Sequence, residues 1–335
     1  MSRRVIPGLE TPDPLLEREV RERLELVEAA LEKAVRADSD LLAETARYLL
    51  AAGGKRFRPM LVLLSGYFGD PADPRLVQGA VSIELVHAAT LYHDDVIDEA
   101  DARHGVPSVN ARWDNTVAIL TGDYLFARAS EISAELGTEV IALLARTIAT
   151  LCDGQIREVE ASGNVDLPEA TYLEVIRRKT GALIATSCRL GGMLSDAPVE
   201  HLGVLEAYGE ALGLAFQLSD DIMDVTSTAA ELGKDPGIDM KEGVYTLPVL
   251  AALRRGDRAP ELRELLMGGP PEGQRLERAL EIVRDPVTLS VARAAVVAEV
   301  DRARGLIGEL PAGPARTALV QLAEFLAVRC GARQG

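Results

Sequence analysis

A chain of 335 residues with 47% hydrophobic but only 4% aromatic side chains can build a large core, and its frequent Ala and Leu favour helices packed on helices over sheet or disorder. Its 36 Lys and Arg against 52 Asp and Glu give a formal charge of −16, which argues against nucleic acid as a partner and leaves no basic groove to expect. Cys152, Cys188 and Cys330 lie far apart, Met1 to Glu10 lacks an apolar run, and no stretch approaches a membrane span, so a cytoplasmic chain without stable membrane insertion is expected.

In chain order, helical spacing of apolar residues predicts helices over 14–36, 39–52, 57–68, 75–102, 108–136, 138–162, 168–195, 199–227, 243–255, 259–267, 272–284, 288–308 and 313–331, with no competing strand alternation. Breaks fall at Gly53-Gly54, Gly69-Asp70-Pro71, Gly105-Val106-Pro107 and Gly163-Asn164, and residues 233–243 form the longest polar loop. One all-α domain over 1–335 is expected, with its core at about 40–250 and looser C-terminal helices over 255–331.

One short pattern recurs: Asp-Asp-Val-Ile-Asp at 94–98 and Asp-Asp-Ile-Met-Asp at 220–224. On a helix Asp94, Asp95 and Asp98 share an arc of roughly 100°, and Asp220, Asp221 and Asp224 repeat that spacing. Both triads end strongly apolar helices, where mutual repulsion and the negative helix terminus, the latter costing about 0.3–1 kcal/mol per anion, disfavour carboxylates unless a multivalent cation is present. Oxygen-only ligands suit a hard cation such as Mg²⁺, which takes one or two carboxylates together with substrate phosphate. A single such cluster is an ordinary solvated surface as often as a site. Two matched clusters, neither with a lysine at i+4, favour the site.

Cationic anchors for a polyanion accompany the triads. Lys55 and Arg58 lie in Gly-Gly-Lys-Arg-Phe-Arg-Pro (53–59) ahead of a helix N-terminus. Arg103 follows the first triad, Lys179-Thr180 sits in a long helix, and Lys234 follows the second triad. Taken singly, each is a surface charge more often than a ligand.

Together with Glu84-Leu-Val-His87, Leu91 to Asp98, Gly122-Asp123-Tyr-Leu125, Phe216-Gln217 to Asp224 and Thr246-Leu-Pro248, these segments resemble the polyprenyl synthetase family, the trans-isoprenyl diphosphate synthases, over about 53–248. The resemblance implies an all-α isoprenoid-synthase bundle around a deep central cavity, with the triads facing each other at its mouth, and a homodimer. It also implies condensation of isopentenyl diphosphate with an allylic prenyl diphosphate, dependent on Mg²⁺, with three ions once substrate is bound. Carried over by position, the six aspartates hold metal, Asp224 directly or through water, while Arg103, Lys179 and Lys234 contact the allylic diphosphate. Lys55, Arg58, His87 and His104 bind isopentenyl diphosphate, and Thr180 and Gln217 stabilise the allylic cation. Metal and cations stabilise the departing diphosphate, the double bond attacks, and the released diphosphate takes the proton, so no side-chain nucleophile is required.

Two positions depart from the family pattern: His104 stands where a second arginine is common, and Val244 where lysine is common, with Lys241 nearby as compensation. His104 is only partly charged near neutral pH, so His104→Arg is expected to lower the KM for isopentenyl diphosphate. Product length is expected to depend on Ala89 and Thr90, one turn deeper than Asp94. Two small side chains there imply a polyprenyl product of about six or more isoprene units, for a quinone side chain, and Ala89→Phe is expected to shorten it. Tyr92, Ile119 or Leu120 are alternative floors, and a geranylgeranyl or farnesyl product is the alternative outcome. A class I terpene cyclase and a non-catalytic subunit of a heteromeric synthase are the rival readings. The Asp-rich second triad and the Gly54-Lys55-Arg58 segment disfavour the first, and retention of both triads disfavours the second. Product release could involve peripheral membrane contact.

Overall fold

The computed structural model describes residues 13–103, 105–227 and 236–333. These divide into two compact units, one of Met1–Ala149, Leu183–Gly209 and Leu306–Gln321, the other of Thr150–Ala182, Glu210–Gly305 and Leu322–Gly335. Both are helical. Among the described residues no helix is long and apolar enough to cross a membrane.

The first unit opens with α1 (Pro14–Ala34). Asp13 caps it by accepting from the Leu15 and Leu16 amides, Pro14 takes the first-turn position where no N–H is needed, and Leu16, Val20, Leu24, Val27 and Leu31 form its buried stripe. Helices α2 (Asp40–Ala51) and α3 (Phe57–Ser65) follow, and then the long α4 (Arg75–Ile97). Helix α5 (Val109–Arg112) is a single turn, and α6 (Asn115–Leu136) lies along α4 in the unit's most extensive packing, while α1 and α3 cover other faces of α4. Packing on several sides explains the long buried run from Gly79 to Val86 in the middle of α4.

Several expected helices are shortened or subdivided; the one over 57–68 is α3 followed by a 3-10 turn over Gly66–Phe68. The one over 75–102 stops at Ile97: Asp98 leaves helical geometry, Glu99 adopts a left-handed conformation at φ 49°, and β1 (Ala102–Arg103) pairs antiparallel with β2 (Val106–Pro107). A two-residue strand is too short to leave an alternation signal. The one over 108–136 breaks at Trp113, because Asp114 caps α6 by accepting from the Val117 amide.

Helix α7 (Thr138–Ala161) contributes its first half to the first unit and its second half to the second. The helix expected over 168–195 is α8 (Glu169–Ile176), a π-helical turn over Arg177–Gly181, and α9 (Ala182–Leu194). At the π turn the backbone comes so close to α7 that a Cβ on Gly154 would sit 2.7 Å from the Lys179 nitrogen. Helix α10 (Val199–Thr226) carries the second triad. After it, α11 (Ile238–Lys241) is a single turn inside the segment expected to be loop, and α12 (Leu247–Arg255) begins later than 243 because Pro248 fits only a first turn. Helices α13 (Ala259–Leu266) and α14 (Gly273–Val283) pack with α12, and α15 (Pro286–Ile307) and α16 (Pro314–Arg329) complete the chain.

Candidate active site

In the first unit the last turn of α4 presents Asp94 and Asp95, and Asp98 caps its C-terminus. Asp94 and Asp98 are half-exposed, whereas Asp95 is fully buried. The β1–β2 hairpin returns the chain so that Arg103 meets Asp95: its Nε donates to Oδ1 at 2.7 Å and its Nη2 lies 2.6 Å from the same oxygen. Oδ2 of Asp95 is buried with no hydrogen-bond partner. Burial pushes the Asp95 carboxyl above its ordinary range, opposed by Arg103. Asn110 pins the turn by donating to the Asp95 and Ala100 carbonyls, each at 3.1 Å.

One helical face of α4 carries the accessible positions His87, Thr90, Leu91, Asp94 and Asp98. Thr90 is half-exposed and donates to the His87 carbonyl at 2.8 Å, but Ala89 is fully buried off that face. Of the alternative floors, Tyr92 is fully buried with its hydroxyl on the Thr45 carbonyl at 2.5 Å, while Ile119 and Leu120 are exposed. Ahead of α3, Lys55 is exposed and Arg58 half-buried, within electrostatic reach of the buried Glu84 one turn before His87.

In the second unit Asp220, Asp221 and Asp224 sit in the last two turns of α10, and a hydrogen-bond chain enters them from the π turn. Thr180 Oγ1 donates to Gln217 Oε1 at 2.8 Å, and Gln217 Nε2 donates to Asp221 Oδ1 at 2.9 Å. Because an ionised carboxylate can only accept, this chain fixes which end of the Gln217 amide faces Thr180. Tyr172, fully enclosed, donates its hydroxyl to Asp221 Oδ2. Burial pushes the Asp221 carboxyl up, Asp220 and Asp224 add to the rise, and Tyr172 and Gln217 oppose it. Arg329 on α16 pairs with Asp220, donates to Ser219 Oγ at 2.7 Å and stacks 4.9 Å over the Phe216 ring. Asp224 accepts from the Ile238 amide at 3.3 Å, and Lys179 pairs with Glu158.

Thus Asp95 and Arg103 are brought together, and so are Thr180, Gln217 and Asp221. Lys179 is paired with a glutamate, Lys241 and Val244 are half-buried, and His104 and Lys234 lie outside the described residues. Tyr172, Arg329, Glu158 and Asn110 were not singled out from the sequence, since their partners stand 49, 109, 21 and 15 positions away. Among the described residues no three His, Cys, Asp or Glu side chains form a ready-made metal cage. An all-carboxylate donor set with the open Asp95 Oδ2 fits a hard divalent cation that completes its shell with substrate oxygens.

The polyprenyl synthetase family profile matches residues 39–283. The nonaprenyl diphosphate synthase of Mycobacterium tuberculosis is 42% identical over 331 residues, covering 98% of each chain. Among solved structures, the polyprenyl synthase of Caulobacter crescentus complexed with calcium and isoprenyl diphosphate superposes with a TM-score of 0.89 at 30% identity over the whole of both chains. The geranylgeranyl pyrophosphate synthase of Corynebacterium glutamicum, also complexed with calcium and isoprenyl diphosphate, gives 0.84 at 41% identity over 96% of this chain and 99% of that one.

Proposed function

The chain belongs to the polyprenyl synthetase family, and on that premise we propose that it is a prenyltransferase joining isopentenyl diphosphate head-to-tail, in trans, to an allylic prenyl diphosphate to make a long polyprenyl diphosphate. The observation carrying most weight is that a long-chain synthase aligns over 98% of this sequence while both aspartate triads are retained. The small side chain of Thr90, on the accessible face of α4 shared with Asp94, supports a product of about six or more isoprene units, of the kind a quinone side chain requires. Likeness to a geranylgeranyl pyrophosphate synthase keeps the shorter product as the second reading.

In this reading Asp94, Asp95 and Asp98, with Asp220, Asp221 and Asp224, are carboxylate ligands for Mg²⁺, three ions when substrate is bound. When bound, Mg²⁺ supplies charge neutralisation to the leaving diphosphate. Arg103, Lys179 and Lys234 hold the allylic diphosphate oxygens, and Lys55, Arg58, His87 and His104 hold isopentenyl diphosphate. Lys179 must exchange Glu158 for phosphate as substrate arrives. The Thr180 hydroxyl and the Gln217 carbonyl, oriented through Asp221, direct oxygen dipoles at the allylic cation, and the departing diphosphate accepts the proton. The working protein is a single-domain, cytoplasmic homodimer.

Incubating the purified chain with Mg²⁺, isopentenyl diphosphate and primers of several lengths, followed by mass spectrometry, tests this. Polyprenyl diphosphates formed only with both substrates support the proposal. Turnover of the allylic substrate alone would mark a cyclase, and no turnover without a second protein would mark a heteromeric subunit.

A further inference from the structure

Between the two cations read as ligands, Lys55 and Arg58, lies a third, Arg56, whose surroundings differ from theirs. Its backbone is left-handed, φ 47° and ψ 37°, at the residue preceding α3, a conformation that favours glycine. That geometry turns the side chain back beneath the loop until only 10% of it is exposed. There Nε and Nη2 donate to the two carboxylate oxygens of Glu28 on α1 at 2.6 and 3.1 Å, Nη1 donates to Glu84 on α4 at 2.9 Å, and Nη2 also donates to the Leu50 carbonyl at 2.9 Å. Gly54 lies directly on the guanidinium, since a Cβ there would be 2.7 Å from Nη1. With its donors engaged by two carboxylates and a carbonyl, Arg56 is not presented to a phosphate, whereas Lys55 is exposed and joins no ion pair among the described residues.

Behind the same loop lies a cavity of about 540 Å³ lined by Glu28, Leu31, Arg47, Gly53, Gly54 and Arg56. The cavity leaves Gly53-Gly54 without close packing on that side, and the Arg56 bonds tie the loop to α1 and α4. Glu84 is also one turn from His87 on α4, so Arg56 ties the loop to the helix bearing another residue read as a ligand of the same substrate.

We propose that Arg56 is a positioning residue for the isopentenyl diphosphate site: its fork to Glu28, Glu84 and the Leu50 carbonyl holds residues 53–58 so that Lys55 and Arg58 reach the diphosphate, without Arg56 touching it. This rests on the reading that Lys55 and Arg58 bind isopentenyl diphosphate. A lysine keeps the charge but cannot reproduce a planar fork on two carboxylates.

The test measures KM for each substrate, kcat and amide hydrogen exchange over 53–58 for Arg56→Lys, Glu28→Gln and Lys55→Ala. Arg56→Lys is expected to raise the KM for isopentenyl diphosphate about tenfold, leave the allylic KM within about twofold, and speed exchange in the loop. Glu28→Gln, at the half-exposed rim and so tolerable should Arg56→Lys fail to fold, is expected to do the same by about threefold. The proposal is overturned if Lys55→Ala raises that KM while neither other variant does. It is equally overturned if Arg56→Lys raises it while Glu28→Gln leaves it and the loop exchange unchanged, which would make Arg56 a direct ligand, or if both KM values rise alike, which would make it only structural. A Lys55→Ala variant that leaves the isopentenyl diphosphate KM unchanged overturns the site reading itself.

Discussion

Ala89 and Thr90 are adjacent in sequence but respond differently to the same enlargement. Ala89 is fully buried on α4, so a phenyl ring there has no space to occupy, and overpacking a core of this kind costs about 1–3 kcal/mol. At about 2.1 cal/mol/K of unfolding entropy per residue, 335 residues give about 0.7 kcal/mol/K, and the expected loss in Tm for Ala89→Phe is about 1.5–4 °C. Thr90 is half-exposed on the face shared with Asp94, about one turn or ~6 Å away along the helix. Thr90→Phe gives up only a hydroxyl bond to the His87 carbonyl, worth about 1 kcal/mol or less, and sends its ring outward. Melting curves and product ladders for both variants separate the two positions: Thr90→Phe is expected to shorten the products at nearly unchanged Tm, and Ala89→Phe to lose stability first. A stable Ala89→Phe that shortens products beside a Thr90→Phe with the parental ladder would refute the burial reasoning. Unchanged ladders in both would remove this face of α4 from the product path.

Tyr172→Phe strips one donor from the enclosed Asp221 carboxylate and is expected to cost the metal-free protein about 1–3 kcal/mol, read as a lower Tm in chelator; an unchanged Tm counts against the hydrogen bond. The Arg258 and Arg278 guanidiniums hold Glu261 down at about 2 from an ordinary 4.5, so this cluster's stabilisation is complete above pH 4.5 and is lost as pH falls toward 2. Urea midpoints across that window should fall less steeply in Glu261→Gln than in the parent, and parallel curves would contradict the ion pairs. Cys152 is exposed, whereas Cys188 is buried with its thiol pushed up to about 12, so brief alkylation at pH ~8 should label Cys152 and spare Cys188 until denaturant is added; peptide mass spectrometry decides it.

What could be read from the residues was whatever repeats locally. The apolar stripe of α1, its Asp13-Pro14 start and the placement of both triads at the ends of apolar helices all follow from neighbours within a turn or two. The break at Trp113-Asp114 lies inside one continuous apolar pattern, and only the Asp114 cap on the Val117 amide divides the expected helix there. The π turn at Arg177–Gly181 has no local signature, because what accompanies it is a close approach between α7 and this segment across more than 20 positions, permitted by Gly154. The same limit hid the inward turn of Arg56: three basic residues in four positions look alike until α1 and α4 supply carboxylates to one of them.

That limit also conceals a difference between the two triads. Identical in spacing, the first triad buries one carboxylate, Asp95, and the second buries two, Asp221 and Asp224, and the fold stabilises Asp95 and Asp221 by different means. Asp95 receives a cation on one oxygen and leaves the other without a donor. Asp221 receives neutral donors on both oxygens, and Arg329 supplies the positive charge to Asp220 instead. On the proposed reading, a divalent ion at Asp95 would meet an oxygen with no protein hydrogen bond to break, whereas at Asp220 it would compete with a guanidinium, and at Asp221 with Tyr172 and Gln217. Equal spacing in the sequence thus translates into different surroundings for Asp95 and Asp221, because the residues that set them come from the hairpin in one unit and from α8 and α10 in the other.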